Sequence, residues 1–429
     1  MRRAPHICVV SAGHITSCPR MMKAAEAFRN AGYRVSIVCS SHARWLVAGD
    51  TSFLKSFERS SSVAHFDREE HPFSYYATGI RYRLRRRQVF LCGLDRSSLP
   101  TLGMAFTRPF VELVRLGVAA KADLYYGGTS GGIAVVAEIA KKRRSPYAID
   151  LEDFHSAEQD PSAEAELSHT IIAEIERRVL TGARFLTCGS AAMAELYGAT
   201  YGIKVAPIHN VFSLPRTEPD FGVLRGKLRL VWLGQTIGSG RGIEDAVKAL
   251  GLANVAAELT LRGKVKGSYL DNLFTLARAQ APHLRIRHEE PDMSRSVVDL
   301  CRGYDIGLCL EQAHVLNRSV CLCNKPFTYL LAGLAVAFTD TAGQRDLARD
   351  LGSAALVFKV GDIKMFAQGL RHWAANPEGL MQAKRLAWQA AQRRWHWNHP
   401  EEEGRLLELV NEAFANASPD HALVAGGRC

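Results

Sequence analysis

At 429 residues the chain is too long for one α/β core and about right for two of ordinary size. Its composition, 47% hydrophobic and 23% charged with 16 scattered prolines, is that of a globular protein. No stretch approaches the roughly 18 uncharged apolar residues that span a bilayer, which excludes a transmembrane class.

The net charge of +11 is lopsided: residues 1–144 hold 23 Lys/Arg against 10 Asp/Glu, and the remainder 31 against 33. The excess sits in RYRLRRRQ (81–88) and KKRR (141–144). A basic face of this kind suits phospholipid headgroups or a phosphorylated substrate, or is simply a solvated surface. Nucleic acid is not favoured, because no basic-aromatic interleaving is present. Of ten cysteines, Cys8, Cys39, Cys188 and Cys309 lie in apolar runs, and the close pair Cys321 and Cys323 lacks the CxxC spacing of zinc or redox sites. No metal site and no disulfide framework are expected.

The first apolar run, HICVVS (6–11), is too short for a signal peptide and reads as a buried strand. The turn SAGHITSCP follows, then a helical spacing over 20–31 stopped by Gly32, and a second strand, VSIVCS (35–40). Residues 42–106 show no clear period; loops, the basic segment and one irregular strand are expected there. Regularity returns with DLYYGG (123–128), a helix through Ala140, the strand PYAID (146–150) and a long helix over 162–181. FLTCG (185–189), a helix after Ser190 and VAPIHN (205–210) complete a first domain of residues 1–211.

Prolines and charges without periodicity mark 212–227 as a linker. A second alternating series over 228–398 places strands at 228–234, 257–263, 284–288, 305–311, 335–340 and 355–359, with helices between them. Three helical stretches close the chain. The last, within 399–416, is expected to return toward the first domain ahead of a polar tail, 417–429. Alternating strands and helices throughout predict two doubly wound, Rossmann-like α/β domains facing a central cleft.

In open parallel sheets ligands bind beyond the carboxyl ends of strands. Gly13 follows the first strand, and GGTSGG (127–132) opens a helix whose free amides favour anions. Neither GxGxxG nor GxxxxGK[ST] occurs. In LVWLGQTIGSGRGIEDAVKAL, Gly234 stands at a strand end and Arg241-Gly242 at a helix start, from which an arginine can reach a diphosphate. NKPFTYLLAGLAVAFTD puts Asn324-Lys325 at another helix start with Gly333 as its cap.

These segments resemble the nucleotide-sugar glycosyltransferases of the GT-B fold, in particular the large retaining family that includes many cell-envelope and polysaccharide enzymes. The likeness covers nearly the whole chain: Gly234-Gln235 with Arg241-Gly242, Asn324 to Tyr329 with Ala332-Gly333, the acidic loop YAIDLEDFHSAE (147–158), IHNVF (208–212) and the stretch 346–362. Two positions depart from the family pattern. Its first arginine corresponds to Gln235, and the helix glutamate that holds the donor's ribose corresponds to Thr328.

The resemblance implies sugar transfer from a nucleoside-diphosphate sugar, with retention, to a saccharide or polyprenyl-linked acceptor. Arg241 and Lys325 would stabilise the departing diphosphate, and His155 would orient or deprotonate an acceptor hydroxyl. Gly234, Gln235, Gly240, Glu311, Asn324 and Thr328 would line the donor site; Gly13, Glu152 and Asp153 the acceptor side. No Asp-x-Asp pair occurs, so neither a metal nor a cofactor is expected, the nucleotide-sugar serving as co-substrate. A transferase-like scaffold without turnover and an epimerase of the same fold stay open. The expected location is the cytoplasm, with an anionic membrane surface as a candidate partner for the basic first domain.

Overall fold

The computed structural model describes residues 3–58, 60–158, 162–223, 226–292 and 296–415. The expected polar tail lies outside them. The chain divides into two units: one runs through Ile208 and resumes at Pro400, and the other is His209–His399.

In the first unit β1 (His6–Ser11), α1 (Pro19–Asn30) and β2 (Arg34–Ser41) are followed by α2 (Arg44–Leu54), β3 (Ser61–His65), α3 (Pro72–Cys92), α4 (Leu99–Phe106) and α5 (Phe110–Ala120). Then come β4 (Leu124–Gly128), α6 (Ser130–Arg143), β5 (Tyr147–Leu151), α7 (Ala163–Val179), β6 (Leu186–Cys188), α8 (Ala191–Tyr201) and β7 (Ala206–Pro207). The seven strands form one parallel sheet in the order β3-β2-β1-β4-β5-β6-β7. Every residue of β1 is buried, as expected of a parallel strand covered on both faces by crossover helices. Pro19 opens α1 at a position where its missing N–H costs nothing.

The second unit contains β8 (Leu228–Ile237), α9 (Ile243–Ala253), β9 (Ala257–Val265), α10 (Tyr269–Gln280), β10 (Leu284–Glu289) and β11 (Ile306–Cys309). It continues with α11 (Leu316–Val320), α12 (Lys325–Leu331), β12 (Ala335–Thr339), α13 (Ala342–Leu351), β13 (Ala355–Phe358), α14 (Ile363–Ala375) and α15 (Pro377–Arg393). Its six strands are parallel in the order β10-β9-β8-β11-β12-β13. A continuous core joins Leu230, Trp232 and Ile306 to Val247, Leu250, Phe366 and Leu370 of the covering helices. The final helix, α16 (Arg405–Ala415), belongs to the first unit.

Two expectations are corrected. Residues 42–106 are mostly helical, and the basic run 81–88 lies within the 21-residue α3. Its arginines fall on all sides of the helix, so no polar face announces it. β8 does not end at Gly234 but continues to Ile237 through an irregularity between Leu233 and Thr236. Within VAPIHN (205–210) only Ala206–Pro207 form a strand, β7. Among the described residues, no helix is long and apolar enough to cross a membrane.

Candidate functional site

Both strand orders reverse direction at a switch point, between β1 and β4 in one sheet and between β8 and β11 in the other. Chains leaving neighbouring strands there diverge to opposite faces, opening a crevice at the carboxyl edge. The candidate residues belong to loops around these two edges and are described unit by unit.

In the second unit, β8 runs out into Gly238-Ser239-Gly240-Arg241-Gly242, and α9 begins at Ile243. Gly242 has φ +72°, and a Cβ there would stand 2.5 Å from Gln312 Nε2 and 2.7 Å from the Leu310 carbonyl. Only glycine lets this turn lie against the chain leaving β11. That chain carries Glu311, which is buried. Lys325, the first residue of α12, donates to Glu311 Oε1. Arg318 Nη1 donates to Oε2 at 3.3 Å, and the Cys323 thiol lies 3.6 Å from Oε1. Lys325 Nζ also stands 5.4 Å from the centre of a Trp232 ring.

Burial alone would push the Glu311 carboxyl upward. Lys325, then Arg318 and Arg241, outweigh it and hold the group down at about 2. Burial likewise opposes charge on Lys325, but Cys323 and Glu311 raise its pKa, and the Glu311 carboxylate, ionised at neutral pH, keeps it an ammonium. Arg241, half-buried, therefore shares one electrostatic centre with Lys325, Arg318 and Glu311. Lys325 and Arg318 bond this carboxylate directly and Arg241 acts on it electrostatically, leaving an excess of positive charge at the switch point.

The other donor-side candidates are distributed around this centre. Gly234 is half-buried and Gln235 exposed within the final turns of β8, Gly240 is exposed, and Asn324 caps α12. Thr328 is fully buried one turn into α12, and its hydroxyl donates to the Asn324 carbonyl at 3.1 Å. Sequence reasoning missed Arg318 and His314, whose ring comes within 3.4 Å of a Cβ built on Gly240. Their only sequence signal is position, a few residues after a strand end.

In the first unit, Arg20 in the first turn of α1 grips Asp150 on β5 through Nε (2.6 Å) and Nη2 (2.5 Å), and its Nη1 donates to the Ile208 carbonyl at 2.6 Å. This buried pair fixes the start of the acidic loop. Glu152, next along, receives the Cys18 thiol at 3.4 Å. Burial, then repulsion from Asp153 and Asp150, pushes Glu152 up to about 7. Lys23 is pushed down to about 7, by burial first and then by Arg20. Groups poised near neutrality in one loop cluster are a mark of functional sites. Arg20, Lys23 and Cys18 were absent from the sequence-based candidates.

His155 is buried and its Nδ1 lies 3.1 Å from Glu158 Oε2. Burial lowers its pKa, but the Glu158 carboxylate more than compensates and raises it to about 9. Asp153 contributes its carbonyl to the Tyr197 hydroxyl at 2.9 Å. Gly13 is followed by the buried His14, another residue the sequence did not single out. His14 Nδ1 pairs with Asp50 at 2.5 Å while Nε2 accepts from the amides of His42 (3.0 Å) and Ala43 (2.8 Å). The ring is thus the Nδ1–H tautomer, locking the loop after β1 onto α2. The side chains able to gather round a metal ion among the described residues are Asp67, Glu70 and His71, between β3 and α3.

Two parallel sheets of this order, each flanked by crossover helices, define the GT-B fold: two Rossmann-like α/β units. Residues 19–211 match the family model described as glycosyl transferase 4-like domain. Over its length the chain is similar to Anabaena Alr3699/HepE, solved in complex with UDP and glucose, with TM-score 0.67 and 13% identity, covering 96% of this chain and 100% of that one. It is also similar to sucrose-phosphate synthase from Thermosynechococcus elongatus (TM-score 0.65, 13% identity, 97% and 100% covered). A third likeness is to S. aureus TarM (0.63, 9%, 96% and 99%). No match is found among curated proteins. Family match and structural likenesses together support a GT-B glycosyltransferase.

Proposed function

We propose that the protein transfers a sugar from a nucleoside-diphosphate sugar, with retention, to a saccharide or polyprenyl-linked acceptor in polysaccharide or cell-envelope synthesis. The observation that carries this reading is the cation cluster at the β8/β11 switch point, where Arg318 and Lys325 bond buried Glu311 and Arg241 acts on it electrostatically. The hard event in such a transfer is departure of a nucleoside diphosphate while positive charge develops on the sugar. Fixed cations accelerate it because their interaction is strongest where the negative charge builds up. Glu311 keeps Lys325 protonated and in place, and the excess positive charge is left for the diphosphate. Complexes of the similar Anabaena protein with UDP and with UDP-glucose support a diphosphate donor, and this cluster needs no metal to neutralise one.

On the acceptor side His155, charged at neutral pH, serves as a hydrogen-bond donor rather than as a base. Glu152, half-ionised near pH 7, is the better proton acceptor for an incoming hydroxyl. Thr328 offers no carboxylate to a ribose, so base and ribose recognition falls to the backbone of the Gly238–Gly242 turn and its neighbours.

A thermal-shift series with UDP, GDP, ADP and TDP tests the donor. A ligand at ~100 times its dissociation constant adds roughly 2.7 kcal/mol, and Arg241→Ala is expected to abolish the response. No stabilisation by any nucleotide overturns the reading. Release of nucleoside diphosphate only in the presence of an acceptor separates transfer from epimerisation.

A further inference from the structure

The helix α3 is built the wrong way round for a globular surface. Its buried residues are Thr78 and Val89, on the side that packs against α4. Its large apolar side chains point outward: Phe73 is 86% exposed, Ile80 56%, Leu84 62%, Phe90 75% and Leu91 69%. At about 100° per residue, Phe73, Tyr76, Ile80, Leu84 and Leu91 fall within a stripe roughly 80° wide along the whole helix. Single exposed leucines need no explanation, but a contiguous stripe marks a surface that is covered in use.

The flanks of the stripe identify what covers it. The segment 72–92 contains five arginines and no acidic residue. Arg81 is engaged within the unit by both oxygens of Glu112 (2.8 and 2.6 Å), and Arg86 by Ser168 Oγ at 3.2 Å. Arg83 is exposed at one edge of the stripe, and Arg87 is exposed within it, between Tyr76 and Ile80 in projection. An apolar face with guanidinium groups on and beside it, whose long stems reach from the apolar layer to the phosphates, matches the boundary between acyl chains and anionic headgroups, where a helix lies in the plane of the surface. A second copy of the chain fits poorly, since a two-fold contact through this face brings arginines against arginines. Five arginines equally prevent the helix from spanning the bilayer.

We propose that α3 is a membrane-docking helix that seats the protein on an anionic lipid surface, Phe73, Ile80, Leu84 and Leu91 entering the interface and Arg83 and Arg87 contacting headgroup phosphates. The inference is independent of the donor reading, since it uses no residue of either switch point.

Co-sedimentation of the full chain with phosphatidylcholine vesicles, with and without phosphatidylglycerol, tests it. Binding is expected only to the anionic vesicles and weakens as salt is raised. The variant Phe73→Ser/Ile80→Ser/Leu84→Ser/Leu91→Ser loses binding at least tenfold. Arg83→Gln and Arg87→Gln each weaken it about fivefold, the factor for one basic residue at such a surface. Melting midpoints of the variants, measured without nucleotide, stay at the parental value because the replaced side chains are exposed; a shifted quadruple variant is replaced by single Leu84→Ser and Leu91→Ser. Three results overturn the proposal. One is failure of the parent to bind anionic vesicles at low salt. Another is undiminished binding by the serine variants, which leaves only polyanion attraction. The last is a parental dimer that the serine variants split while vesicle binding persists.

Discussion

Lys325 and Glu311 make a pair whose parts have different jobs, and substitution separates them. Lys325→Met leaves a buried carboxylate without its main partner, which costs about 3–5 kcal/mol in comparable pairs. Adding Glu311→Gln removes the stranded charge, so urea unfolding of the double variant is expected to recover most of the loss. The nucleotide response should stay absent in both, because the ammonium is gone. Recovery of both properties would make the pair purely structural. His155 supplies a second residue-scale test. Its pKa is about 9 in the folded protein against an ordinary 6.5, so the folded state binds the extra proton between those values. Its stabilisation is complete below pH 6.5 and vanishes as pH rises through 9, a loss of about 3 kcal/mol. His155→Gln should flatten that slope in thermal melts taken from pH 6.5 to 9. At this scale the sequence was legible where a charge stood beside a glycine turn or at a helix start, as with Arg241 and Lys325. It was silent on Arg318, Lys23 and His14, because nothing local distinguishes a side chain that folds inward to meet a distant carboxylate.

Elements were legible in proportion to how much of their pattern the core imposed. The strands of the second sheet lie close to their expected places: β11 and β12, buried along their whole length, are almost wholly apolar, as a parallel strand covered on both faces must be, while the edge strand β10, LRIRHE, carries half-buried apolar residues between exposed arginines. The helix α3 escaped because its apolar stripe faces solvent and its arginines surround it, so periodicity and burial disagree. The bend after β8 carries the element-scale prediction. Gly242→Ala must hold φ +72° with a Cβ 2.7 Å from the Leu310 carbonyl; the left-handed backbone alone costs about 1–2 kcal/mol, and the clash adds to it by driving the turn off the β11 loop. Gly267 is the control, with φ +56° and nothing within 4 Å of a built Cβ. Gly267→Ala should therefore lower stability by the backbone cost alone, about 1–2 kcal/mol, and leave nucleotide binding untouched. Gly242→Ala is expected to lower both, read by the melting midpoint with and without nucleotide.

At the scale of the whole molecule, the chain completes its first unit only after making all of the second. The helix α16 buries Leu406, Leu409, Val410 and Ala413 within the first unit. Tyr33, following α1, stacks on Phe414 at 5.8 Å and its hydroxyl donates to Asn411. Glu402, just before the helix, is fully buried, and its carboxylate raises the pKa of Lys23 in the acidic-loop cluster. Ending the chain at His399 thus removes both packing and a charge from the candidate acceptor side. Exposure of the apolar surfaces formerly covered by two leucines and a valine costs about 5 kcal/mol or more, a large share of the roughly 5–15 kcal/mol that stabilises a domain. At about 2–4 °C per kcal/mol for a unit of this size, calorimetry of the truncated chain should show the first unit melting at least 10 °C lower. The second unit's transition, recognised by its response to nucleotide, should stay where it was, because no residue of its core is lost. The substitution Leu409→Ala/Val410→Ala in the full chain should move the same transition in the same direction by a smaller step. Equal displacement of both transitions would mean that α16 does not act through the first unit.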